Sequence, residues 1–171
     1  MNKQLKTLVT AALLAAMTTV ATLVIRIPVI ATNGYVNIGD TIVLVAAWLL
    51  GNPYGALAAG IGSGLADLLA GYPAYIPGTA VIKFLMAFIW TPVFLFLSGK
   101  GLPSAASAVI SSVISEVWMI LGYFLYESII LGYGPGALGS VAGNAMQAVA
   151  GLVLGSILML ALKKVKYLLT Y

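Results

Sequence analysis

Ala80–Leu97, AVIKFLMAFIWTPVFLFL, carries a single charge, Lys83, in eighteen otherwise uncharged residues. As a helix it is about long enough to cross a lipid bilayer, whose hydrocarbon is ~30 Å thick. A charge at that depth costs at least a few kcal/mol unless it is paired or hydrated. The flanking apolar runs each hold an acid as well, Asp67 before and Glu116 after. Three ionisable groups in neighbouring spans imply a polar pocket turned toward the interior of a bundle.

The rest of the chain has the same character. It is 62% hydrophobic and 7% charged, against about 25% charged in soluble domains. Lipid is therefore the expected solvent. The 171 residues suit one domain, 1–171, of roughly six spans of about 20 residues. The expected fold class is all-α, an integral membrane bundle of six transmembrane helices. Cysteine and histidine are absent, which removes disulfides, thiolate nucleophiles and His or Cys metal sites, so no metal is expected. The net charge of +4 is not read as a nucleic-acid footprint, because most basic residues sit at span ends.

The spans are expected at Leu5–Ile25, Asn37–Leu50, Pro53–Ala70, Thr79–Leu97 with a kink at Pro92, Ser104–Tyr126 and Ala137–Leu162. The first exceeds a signal-peptide core and is read as a retained helix. Loops are expected at 27–36, 71–78 and 127–136. Lys3, Lys6, Lys100, Lys163, Lys164 and Lys166 all fall on one side, and Arg26 on the other. The positive-inside rule then makes both termini cytoplasmic and the three longer loops external. Asp40, Asp67, Lys83, Asn144 and Gln147 gather under those loops, with Glu116 near mid-membrane, as in a cup open to the outside.

Helical spacing groups these residues. Ser112, Glu116, Met119 and Tyr123 share one face, as do Ser140, Asn144, Gln147 and Gly151, and Gly60, Ser63, Asp67 and Ala70. Such stripes face a bundle interior, either as plain helix packing or as a pocket wall. Asp67 and Lys83 have two open readings: an ion pair between spans, or a site in which Lys83 donates to a ligand. Tyr72 and Tyr75 are placed to stack on a bound ring, while Trp48, Trp90 and Trp118 read as interface aromatics. Ala11, Ala12, Ala15 and Ala16 form small-xxx-small pairs that allow close approach of a helix, within the bundle or from a partner. No P-loop is present, and no inverted repeat is evident. A capture subunit that borrows a motor fits both facts.

Two stretches carry a family resemblance: Tyr35-Val36-Asn37-Ile38-Gly39-Asp40, and Gly62-Ser63-Gly64-Leu65-Ala66-Asp67-Leu68-Leu69-Ala70-Gly71-Tyr72 continuing through Pro77 and Thr79 to Lys83. With the six spans and the Ala pairs, the chain resembles the substrate-binding (S) components of energy-coupling factor (ECF) vitamin transporters, in the branch of the riboflavin, pyridoxine and hydroxymethylpyrimidine types. The resemblance implies a prokaryotic plasma-membrane protein that is not an enzyme and has no cofactor of its own. It implies as partners a transmembrane coupling subunit, docked on Ala11, Ala12, Ala15 and Ala16, and two cytoplasmic ATPases that use the ATP. It also implies that the first external loop caps a vitamin. Lys83, Glu116, Asn144, Gln147, Asp67, Tyr72, Tyr75, Asn37 and Asp40 are the expected ligand-binding residues. Hydroxymethylpyrimidine or pyridoxine is the expected ligand, riboflavin being large for a pocket with few aromatics. The competing readings are a membrane-embedded enzyme on a lipid-like substrate, with Asp67 and Glu116 as acid and base, and a self-sufficient channel or transporter.

Overall fold

A computed structural model describes residues 2–163; Lys164 and Lys166 lie outside the described residues. Six helices form the bundle: α1 Lys3–Val24, α2 Asp40–Leu50, α3 Tyr54–Ala70, α4 Ile76–Gly99, α5 Ser104–Leu125 and α6 Leu138–Ala161. Their ends are set locally. Asn2 caps α1 by accepting from the Gln4 amide, Pro77 occupies the first turn of α4, and Gly71 closes α3 in a left-handed conformation, φ +82°, which glycine adopts without strain.

The loop expected at 27–36 is instead an antiparallel hairpin, β1 Arg26–Val29 and β2 Gly34–Asn37, with Ile27 opposite Val36 and Pro28 opposite Tyr35. Two strands of four residues are too short to register as a pattern, and they hold only because they rest on the bundle. Ala31 lies against Gly139, and Val29 and Val36 lie against Gly143, both on α6. The loop expected at 127–136 is also largely helical. The end of α5 widens into a π turn over Tyr126–Ile130, and a 3-10 turn spans Gly134–Ala137.

Helix α2 is the axis of the molecule. Every residue from Asp40 to Trp48 is buried, and α1, α3, α4 and α6 all pack against it. It has 11 residues, about 16 Å at 1.5 Å per residue, which is about half the thickness of a hydrocarbon layer. The hairpin and the Asn37–Gly39 segment lead into it from the end of α1. The span expected at Asn37–Leu50 was already the shortest of the six, and α2 begins three residues later still. Four helices are long and apolar enough to cross a membrane, whereas α2 and α3 are shorter. A short α2 also puts Asp40, its first residue, fully buried at the level of Lys83.

Pro92 lies inside the continuous helix α4. Proline has no N–H, so the carbonyl four residues earlier loses its donor. That carbonyl belongs to Phe88, and the Asn52 side-chain amide donates to it at 2.9 Å. Replacing Asn52 by alanine is expected to remove about 1 kcal/mol, read as a lower unfolding midpoint in detergent. In a Pro92→Ala background, where the helix supplies its own donor, the same change is expected to have almost no effect.

The distribution of polarity is the inverse of a water-soluble protein. Large apolar residues face outward, among them Leu8, Leu69, Val81, Leu95, Leu121 and Val149, while Thr18, Thr22, Ser111, Ser112, Ser115, Asp40 and Lys83 are buried.

Candidate functional site

The buried polar groups form two tiers toward the hairpin end of the bundle. The lower tier is built on Asp40, the first residue of α2. Its carboxylate pairs through Oδ1 with the Lys83 ammonium of α4. Through Oδ2 it accepts from Gln147 Nε2 of α6 at 2.7 Å. The Gln147 side-chain oxygen accepts from the Asn37 amide at 2.7 Å, and Asn37 Oδ1 accepts from the Gly39 amide, also at 2.7 Å. Asp40 thus has an ion pair, a neutral donor and the favourable end of the α2 dipole. Glu116 of α5 stands in the same layer, 3% exposed, and neither of its oxygens makes a hydrogen bond. Gly151 explains how α6 passes these acids: a Cβ there would lie 2.5 Å from Glu116 Oε1 and 2.8 Å from the Asp40 Cβ.

Lys83 therefore pairs with Asp40, between α2 and α4, and the α3–α4 pair with Asp67 considered from the sequence is not formed. Asp67 accepts from the Tyr35 hydroxyl of the hairpin at 2.6 Å. The difference follows from the depth of α2, which sets Asp40 level with Lys83, about two turns into α4.

The upper tier is a cavity beneath the hairpin. Lys83, Asp67, Asn144, Tyr75 and Asn37 line it, with Tyr35, Tyr123, Thr22, Thr32, Ser63, Thr79, Ser140, Glu127 and Val29. The space between the lining atoms, mouth included, is about 440 Å³, but a water-sized sphere can move its centre through only about 20 Å³. That free room suits roughly one water. Anything larger than a water needs the cavity walls to move apart.

Two latches hold the hairpin down. One is Tyr35 on Asp67. In the other, the Tyr75 hydroxyl lies 2.7 Å from the Thr32 carbonyl and 3.1 Å from Glu127 Oε1, sharing its proton between them. The Ser140 hydroxyl lies against the second Glu127 oxygen and 2.9 Å from the Ala137 carbonyl, sharing its one proton between them. Tyr123 donates to Thr79 Oγ1 at 3.0 Å, and its ring centroid lies 5.3 Å from the Lys83 ammonium. Burial, followed by the Asp67 charge, holds the Tyr35 phenol well above its ordinary range. Burial does the same for Tyr75, with Glu127 adding to it. Both therefore act as neutral donors.

Of the residues expected from the sequence, Lys83, Asp67, Asn144, Tyr75 and Asn37 reach the cavity wall. Asp40, Gln147 and Glu116 lie in the tier beneath. Tyr72 stands beside the cavity, its ring 4.8 Å from that of Tyr35 and 6.4 Å from that of Tyr75. Tyr35, Thr22, Thr32, Thr79 and Glu127 were not expected there, whereas Tyr123 lies on the face of α5 that spacing had turned inward. Thr18 and Thr22, four apart on α1, were a legible polar stripe. Glu127 was hidden by its assignment to a loop.

The four alanines of α1 do not share one environment. Ala11 and Ala15 pack against the core, while Ala12 and Ala16 face outward. The Ala15 carbonyl touches α3 so closely that a Cβ on Gly62 would come within 2.4 Å of it.

The family model for the S component of ECF-type riboflavin transporters matches residues 2–164. The chain belongs to this family. It is a membrane transport component and not an enzyme. The S component is also 36% identical over 149 residues to a protein of Pyrococcus woesei described as "Uncharacterized protein in gap 3'region", covering 85% of this chain and 94% of that one. A solved structure described as the S component of a bacterial ECF transporter superposes with a TM-score of 0.65, covering 98% of this chain and 99% of that one at 19% identity. That likeness establishes the shared fold.

Proposed function

We propose that this S component captures a small, hydroxylated ring compound, hydroxymethylpyrimidine or pyridoxine, in the cavity under the hairpin and carries it inward as part of an ECF transporter. The observation behind this is the cavity itself: Lys83, Asp67, Asn144 and three tyrosines converge on one enclosed space at one end of the bundle. Hydroxyls and ring nitrogens match such donors and acceptors, and the tyrosine faces match a ring. The cavity end faces outside the cell, with Lys3, Lys6, Lys100 and Lys163 at the cytoplasmic end, in a prokaryotic plasma membrane. A membrane-embedded enzyme using Asp67 and Glu116 is disfavoured because the two acids sit in different tiers, and Asp67 is engaged by Tyr35.

Riboflavin is the second reading. The family's description favours it, and so do Tyr35, Tyr75 and Tyr123, which give the cavity more aromatic surface than the sequence suggested. Thermal unfolding of the purified protein with each compound at saturation separates the readings. A ligand at about 100 times its Kd adds about 2.7 kcal/mol. A shift with pyridoxine or hydroxymethylpyrimidine alone supports the first reading, a shift with riboflavin alone supports the second, and no shift with any vitamin removes both.

A coupling subunit and two ATPases complete the proposed transporter, with the outward face of α1 as the docking surface. Ala12→Leu combined with Ala16→Leu is expected to reduce co-purification with the ECF module at least tenfold and to leave ligand binding unchanged. Equal loss of both properties would remove the assignment of that face.

A further inference from the structure

We propose that the cavity selects a ligand bearing one positive charge, an amine or a protonated ring nitrogen, seated against Asp67 and Glu127. The inference rests on the reading of this cavity as the ligand site. Two carboxyl groups line the cavity, each 3% exposed. Among the described residues the one side-chain ion pair is Lys83 with Asp40, so the only cation on the cavity wall, although near enough to act on Asp67, is in direct contact with another acid. Arg26 stands exposed on the hairpin, 6.0 Å from the Tyr35 ring centroid.

Asp67 and Glu127 are instead met by neutral hydroxyls. Tyr35 serves one oxygen of Asp67, while Tyr75 and Ser140 serve Glu127. Asp67 Oδ2 makes no hydrogen bond at all. A buried carboxylate without a counter-charge is unfavourable, and a charge-assisted hydrogen bond is about twice as strong as a neutral one. A cationic ligand supplies a positive charge in direct contact, which neither group has, and a donor to the vacant Asp67 oxygen. A neutral ligand supplies at most the donor. An anionic ligand faces two like charges.

Three probes share one pyridine ring and differ in charge near neutral pH: pyridoxamine is cationic, pyridoxine carries no net charge, and 4-pyridoxate is anionic. Calorimetric titration of the full-length protein in detergent is expected to rank them in that order, with pyridoxamine about tenfold tighter than pyridoxine and 4-pyridoxate without measurable binding. Thiamine, a fixed cation, and pantothenate, an anion, give a second pair on other scaffolds. Asp67→Asn and Glu127→Gln are each expected to shrink the pyridoxamine advantage to about threefold or less. The wild-type ranking decides the matter even if a variant fails to fold. Equal affinities, a reversed order, preference for riboflavin or pantothenate, or an advantage unchanged in both variants overturns the charge selection. Vitamin capture survives each of these outcomes. Only the absence of binding by every compound removes it too.

Discussion

Replacing Lys83 by methionine is expected to destabilise the protein by about 3–5 kcal/mol, the largest loss foreseen for one residue. Lys83 is 2% exposed and Asp40 fully buried. Removing the ammonium leaves the Asp40 carboxylate with only Gln147 as a side-chain donor, next to Glu116. Deleting one member of a buried pair strands the other, whereas deleting both charges together is often tolerated. The double variant Lys83→Met with Asp40→Asn is accordingly expected to recover more than half of the lost stability, measured by unfolding in detergent. If Lys83 served the ligand alone, the single variant would keep its stability and lose only binding. That result would refute the pairing as the main role of this residue.

The second large effect is expected at Gly62. Helix α1 crosses α3 so closely there that a Cβ would sit 2.4 Å from the Ala15 carbonyl and 2.9 Å from the Thr18 Cβ. The carbonyl is backbone and cannot swing aside as a side chain could. Thr19 also ties the helices, donating to the Gly62 carbonyl at 2.8 Å. Gly62→Val must push α1 away, lose that hydrogen bond and open voids beside Leu14 and Thr18. Overpacking of this kind costs about 1–3 kcal/mol or more. Because α1 also carries Ala12 and Ala16, docking to a coupling subunit is expected to weaken as well. Gly99→Ala is the matched control. Nothing lies within 4 Å of a Cβ at Gly99, and alanine there is expected to be neutral or slightly stabilising. Equal effects at the two sites would discount the α1–α3 contact.

Much of the bundle could be read one residue at a time. Hydropathy and helical spacing depend only on neighbours along the chain. They placed all six helices, each within about three residues at both ends, and turned the Glu116 and Gln147 faces inward. Ser112, Glu116, Met119 and Tyr123 are indeed all buried, as are Ser140, Asn144, Gln147 and Gly151. The hairpin escaped such reading because its strands have four residues each and owe their stability to α6. The π and 3-10 turns near Glu127 escaped because Gly132, Gly134 and Pro135 look locally like an open loop.

Composition and periodicity were sufficient to establish an apolar helical bundle with acids and a lysine turned inward, since lipid or water sorts each residue by its own transfer energy. Which charges meet was beyond them. Lys83 joins Asp40 because α2 begins level with the second turn of α4, and Asp67 goes to Tyr35 because the hairpin brings Tyr35 to α3. Both partnerships link residues more than thirty positions apart, and only the packing of α2 at the centre brings them to the same level.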